Sequence, residues 1–71
     1  MSYGRAHDVQ RRHQQQLLSL PGVSGVGVKM RDGSPVMVVT IDDGAEIPEA
    51  LRAADIDGLQ LTVERGRYRP Q

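Results

Sequence analysis

Cysteine, tryptophan and phenylalanine are absent from this 71-residue chain, and two tyrosines are its only aromatic residues apart from histidine. Without cysteine the chain has no disulfide framework, no thiolate zinc or iron–sulfur site and no cysteine nucleophile. An excess of one charge sign is lacking as well, because nine basic residues balance nine acidic ones. This balance argues against a globally basic nucleic-acid binder.

Long hydrophobic segments are also lacking. No apolar run approaches the roughly 18 residues that a membrane span requires. Residues 1–16 contain no apolar stretch typical of a secretory signal. We therefore expect a cytoplasmic protein with no membrane partner.

The chain length predicts a single domain over residues 1–71, with flexible ends at 1–4 and 66–71. A domain of this size buries only about 60 per cent of the surface of its unfolded chain, so its core alone is marginal. Small proteins usually gain stability from disulfides, metals or a second subunit. Because the first is absent and nothing indicates the second, we expect a homo-oligomer.

The N-terminal segment predicts an amphipathic helix. From Arg5 to Leu20 there is no glycine or proline, and glutamine, arginine, leucine and alanine favour helix. Apolar residues, with one histidine among them, recur at spacings of three and four: Ala6, Val9, His13, Leu17 and Leu20. Pro21 and Gly22 then end the helix.

Residues 23–42 predict a β-hairpin, because Asp32-Gly33 is a preferred centre for a two-residue type I′ turn. With these two residues as the loop, Lys29 lies opposite Val36. That register places the bulky apolar side chains on one face: Val26, Val28, Met30, Met37, Val39 and Ile41.

The other face of the hairpin has two glycines beside two exposed valines: Gly25, Gly27, Val36 and Val38. Glycine is disfavoured inside a strand, and a bare strip beside valines allows another backbone or side chain to approach closely. We predict that these four residues form an interface with a second subunit or another protein. The alternative is that one of the chain's own helices packs over them.

The C-terminal half predicts a short helix and a further strand. Pro48 suits the first position of a helix that extends to about Ala54. Asp57-Gly58 predicts a turn, and apolar residues alternate with polar ones over 59–64. The order αββαβ predicts a small α+β domain with two helices and a three-stranded sheet.

No group of residues predicts catalysis, a cofactor or a metal. Gly22, Gly25 and Gly27 do not have the dinucleotide-binding spacing, and His7 and His13 lie on different faces of a helix. A cluster of acidic residues lacks the EF-hand pattern and is explained by a helix N-terminus: Asp42, Asp43, Glu46 and Glu49. We expect that the protein is not an enzyme and that it has no cofactor and no metal site.

An alternative function depends on arginines at the two ends of the chain: Arg5, Arg11, Arg12, Arg67 and Arg69. Guanidinium groups pair with phosphates, and Tyr68 could stack on a base. The alternative prediction is therefore a small nucleic-acid-binding regulatory protein, although a neutral chain does not favour nucleic acid as the partner.

Residues 17–67 contain Leu-Leu-Ser-Leu-Pro-Gly-Val-Ser-Gly-Val-Gly-Val, and later Ile-Pro-Glu-Ala-Leu and Leu-Thr-Val-Glu-Arg-Gly. This pattern resembles a small bacterial accessory domain found beside trypsin-like serine-protease domains. The resemblance implies a non-catalytic module of ferredoxin-like type that lacks the first strand. Similar layouts serve as propeptides, metal chaperones and ligand sensors, and the missing cysteine pair argues against the metal chaperone.

The function expected from the sequence is a non-enzymatic interaction module that self-associates through its sheet and binds another protein. The contact would use the second face of the hairpin or an open strand edge. A protease propeptide-like or inhibitor module is a weaker alternative.

Overall fold

The structure is a computed structural model and describes residues 1–53 and 55–66. In this part of the chain one α-helix packs on a four-stranded mixed sheet. The elements in chain order are α1 (Tyr3–Leu18), β1 (Val23–Arg31), β2 (Ser34–Asp42), a 3₁₀ helix (Glu49–Arg52), β3 (Asp55–Ile56) and β4 (Leu59–Gly66). The α+β class is confirmed, but the predicted detail of three strands and two helices is wrong.

Helix α1 begins at Tyr3, two residues before the predicted start at Arg5. The reason is Ser2, whose hydroxyl oxygen accepts a hydrogen bond from the backbone N–H of Arg5 at 3.2 Å and so caps the helix. The helix ends at Leu18, two residues before the predicted end, and Ser19 follows as its C-cap.

The β1–β2 hairpin is confirmed in its turn and its register. Asp32 and Gly33 have φ of 52° and 80°, the two positive angles that a type I′ turn requires. Lys29 pairs with Val36 as predicted. A bulge between Val23 and Gly25 interrupts the pairing at the far end of the hairpin.

The predicted second helix, Pro48 to about Ala54, is wrong. The segment forms only the short 3₁₀ helix, preceded by Pro48 with an extended backbone at ψ 142°. Ala53 is already extended, with φ −68° and ψ 146°, because the chain must turn towards β3 within a few residues. Ala54 lies outside the described residues.

Strand β3 was not predicted, because two residues are too few to show an alternation of polar and apolar side chains. Asp57 and Gly58 have φ of 50° and 82°, which repeats the turn geometry of the first hairpin. The turn predicted at these two residues is therefore a second hairpin turn, which joins β3 to β4.

The sheet has the order β1-β2-β4-β3, and β4 runs parallel to β2. Residues 43–58, which include the 3₁₀ helix and β3, form the long connection that a parallel pair needs. The ferredoxin-like layout implied by the resemblance has a second α-helix in this connection, and the described residues contain none there. The predicted flexible tail lies outside the described residues except for Gly66, which ends β4.

The core lies between α1 and one face of the sheet. Its buried residues come from α1, β2, β4 and the 3₁₀ helix: Ala6, Val9, Leu17, Met37, Val39, Ile41, Leu51 and Leu59. From the predicted apolar face, Val26 and Val28 are partly buried, whereas Met30, beside the turn on the outer strand, is 54% exposed. His13 is partly buried at the edge of this core, with a quarter of its side chain exposed, as the helical spacing predicted.

Candidate interaction surface

The face of the sheet that points away from α1 is called the open face here. Side chains alternate along a strand, so Val36 and Val38 lie on the opposite side of β2 from Met37 and Val39, which contact the helix-side core. Within residues 1–53 and 55–66, the one α-helix lies on the other side of the sheet. Among the described residues, therefore, no α-helix covers the open face, which was the alternative to an interface.

The sequence predicts that Val36 and Val38 are exposed, and this is wrong. Only 1% and 5% of their surfaces are accessible. They lie on the central strand β2, between β1 and β4. On the open face the Nζ of Lys29, from β1, donates to the Oε2 of Glu64, from β4, at 3.2 Å, so this ion pair spans β2. The methylene groups of such side chains cover apolar neighbours while their charged ends stay in water.

The two glycines of the open face leave free space beside this ion pair. A Cβ atom on Gly27 would meet nothing within 4 Å, and one on Gly25 would meet the Cβ of Thr40 at an ordinary 3.8 Å. Neither glycine has a positive φ. At Gly27, therefore, neither backbone conformation nor internal packing requires glycine, and the space beside it is open.

The outer edge of β1 adjoins this strip. Strand β1 is the terminal strand of the sheet, so one side of its backbone has no neighbouring strand among the described residues. Gln10 of α1 reaches over this edge, and its Nε2 donates to the carbonyl oxygen of Val26 at 3.2 Å. The Oε1 of Gln10 is buried and has no hydrogen-bond donor in the described part of the chain.

The structure brings only part of the predicted arginine set together. Arg5 and Arg12 line a cleft of about 720 Å³, but the carboxylates of Asp8 and Asp57 line it too. Arg11 lies beside this cleft, with Arg12 as a neighbour, and its Nη2 donates to the Oδ1 of Asp8 at 3.0 Å. Arg67 and Arg69 lie outside the described residues. Because carboxylates partly neutralise the cleft, this arrangement does not favour phosphate binding.

The two histidines make unrelated contacts. His7 packs edge-on against Tyr3, with ring centroids 4.7 Å apart. His13 Nε2 lies 2.8 Å from Asp57 Oδ2, which joins α1 to the β3–β4 turn. This hydrogen bond is the first cause of the lowered pKa of Asp57. No sequence signal indicated the pair, because the two residues are distant in the chain and meet only through the fold.

In the described ranges, no group of three or more histidine, cysteine, aspartate or glutamate side chains could hold a metal ion. None of the helices described is both long and apolar enough to span a membrane. Comparison of the chain with protein-family models, curated proteins and solved structures found no match.

Proposed function

We propose that this protein is a non-enzymatic interaction module that self-associates through its sheet and offers the open face to another protein. The observation that carries the proposal is the one-sided fold: α1 covers one face of the sheet, while the strip at Gly25 and Gly27 and the edge of β1 adjoin each other and lack a covering element in the described chain.

The size of the core supports self-association. The buried residues of the cluster under α1 are mainly aliphatic side chains and include no aromatic residue. One helix packed on one face of a sheet encloses only a small core. Association with a second subunit is a common way for a short chain to bury more apolar surface.

The chemistry of the open face supports a protein partner. Along β1 the two glycines allow the close approach of another main chain or side chain. The neighbouring ion pair of Lys29 and Glu64 is exposed at 55% and 39% of its side chains, so it can change partners at little cost. Glycines that allow close approach, next to charged side chains that can change partners, are suited to contact with the surface of another polypeptide.

Sedimentation velocity over a wide range of concentrations tests the self-association. We expect the 7.8 kDa chain to sediment as a dimer at high concentration and to dissociate on dilution. A folded monomer at every concentration, with folding verified by circular dichroism, would contradict the proposal.

A further inference from the structure

The hydrogen-bonding groups on the outer edge of β1 follow from the hairpin register. In a two-residue hairpin the residues that flank the loop, Arg31 and Ser34, form a hydrogen-bonded pair, and pairs then alternate along the ladder. The N–H and C=O groups of Val26, Val28 and Met30 consequently point away from β2. The carbonyl of Val26 already accepts from Gln10, and the outward groups of Val28 and Met30 have no partner in the described chain.

The side of α1 that overhangs this edge presents an exposed aromatic residue. Gln10 identifies that side, because its amide bonds to β1. Helical periodicity places Tyr3, His7 and Gln14 on the same side. Two of the large hydrophobic residues that are exposed in the described chain therefore border the hairpin end of this edge: Tyr3 at 47% and Met30 at 54%.

We propose that a second copy of this chain pairs antiparallel with the outer edge of β1, about a twofold axis at Val28. The two sheets would then form one continuous sheet, with the N-terminal parts of the two α1 helices antiparallel and close together above it. This inference rests on the proposed self-association and specifies the surface that makes it. It also joins the two open faces into one larger surface for a further partner.

A second copy fits this edge because the edge is self-complementary under a twofold rotation. Val28 exchanges both backbone hydrogen bonds with the partner's Val28, and Met30 lies opposite the partner's Val26. A carbonyl oxygen has two lone pairs, so Val26 can accept from Met30 of the partner subunit while it keeps its bond from Gln10. The rotation also brings Tyr3 of α1 towards its own copy.

The side chains favour this register. With the axis at Val28, Gly27 lies opposite the partner's Lys29, so a glycine with free space above it faces a long side chain. An axis moved to Lys29 would place two lysines opposite each other, and like charges at paired positions destabilise a sheet. The strand therefore favours the axis at Val28 over one at Lys29.

Met30→Pro tests the edge directly. Proline removes the outward N–H of residue 30 but no bond of the β1–β2 ladder, and the side chain it replaces is more than half exposed. We expect the dissociation constant from sedimentation to rise about tenfold or more. Thr62→Lys, which alters the open face on β4 away from this edge, should leave the dimer intact.

Tyr3→Glu provides a second variant that does not touch the sheet. It places a charge on α1 beside its own copy, and we expect a similar loss of the dimer. Gln15→Glu is the matched control, since it adds the same charge at an exposed position in the last turn of the same helix and should dimerise like the wild type.

The outcomes separate this inference from the proposed function. A wild-type dimer that Met30→Pro and Tyr3→Glu both dissociate supports the edge. If Met30→Pro fails to fold, Tyr3→Glu compared with Gln15→Glu decides. A wild-type dimer that Thr62→Lys dissociates, while Tyr3→Glu and any folded Met30→Pro leave it intact, overturns the edge but retains association through the open face. A wild-type monomer overturns both.

Discussion

At the scale of single residues, two glycines with the same backbone angle meet different surroundings. Gly22 and Gly33 both have φ of 80°, a conformation that other residues rarely adopt. A Cβ on Gly33 would project into open space, whereas one on Gly22 would lie 2.8 Å from the Cβ of Ala45. Asp32-Gly33 is a local turn signal in the sequence. The contact of Gly22 with Ala45 depends on a loop folding back from the far end of β2, and no local pattern indicates it.

We expect Gly22→Ala to destabilise the protein more than Gly33→Ala. Both substitutions carry the cost of a left-handed backbone, about 1–2 kcal/mol, and only Gly22→Ala adds a steric clash. Urea unfolding of the two variants measures the difference. Adding Ala45→Gly to Gly22→Ala should recover the steric part and leave the backbone part. Equal losses for the two single variants would contradict this account.

At the scale of elements, the first hairpin was predictable in its turn and register, because Asp-Gly chemistry and the alternation of side chains agree on one pairing. The second hairpin was predictable only as a turn, since β3 has two residues. The segment after Pro48 has helix-favouring residues, but the chain must leave it quickly to begin β3, so it forms a single 3₁₀ turn. In such short segments the path that the chain must follow to the next element outweighs the local preference for helix.

The link between α1 and the second hairpin predicts an acid dependence of stability. The pKa of Asp57 is lowered mainly by its hydrogen bond with His13. A carboxyl whose pKa is lower in the folded protein stabilises the fold above its unfolded pKa and loses that contribution as the pH falls through its folded pKa. We therefore expect the contribution of Asp57 to be present above about pH 4 and to disappear in stronger acid.

Urea unfolding from about pH 6 to about pH 2 measures this contribution. Asp57→Asn should lower the free energy of unfolding at the upper end of the range and converge with the wild type at the lower end. Asp55→Asn, two positions away, is the control and should follow the wild-type profile. Parallel curves for Asp57→Asn and the wild type would contradict the role of this hydrogen bond.

At the scale of the whole molecule, stability and self-association are coupled. The single core lies under one helix, and the proposed dimer would add a second buried surface along β1 and α1. A partner that binds only the folded chain raises its apparent stability according to concentration. The temperature of thermal unfolding should therefore depend on whether the protein is a dimer.

We expect the midpoint of thermal unfolding, Tm, to rise by several degrees when the protein concentration increases about a hundredfold. Scanning calorimetry of the wild type and of Tyr3→Glu makes the comparison. The variant should have a lower Tm that does not depend on concentration. A wild-type Tm independent of concentration would indicate that folding is not coupled to association.

The amino-acid sequence by itself determined the features that depend on neighbours in the chain: the apolar stripe of α1, the Asp-Gly turn and the pairing of β1 with β2. Tertiary structure alone decided that β4 lies parallel beside β2, that His13 meets Asp57, and that Lys29 and Glu64 span the valines of the open face. The physical reason is that turn angles and side-chain alternation act over a few residues. Contacts between distant segments are selected by how all the elements share one core.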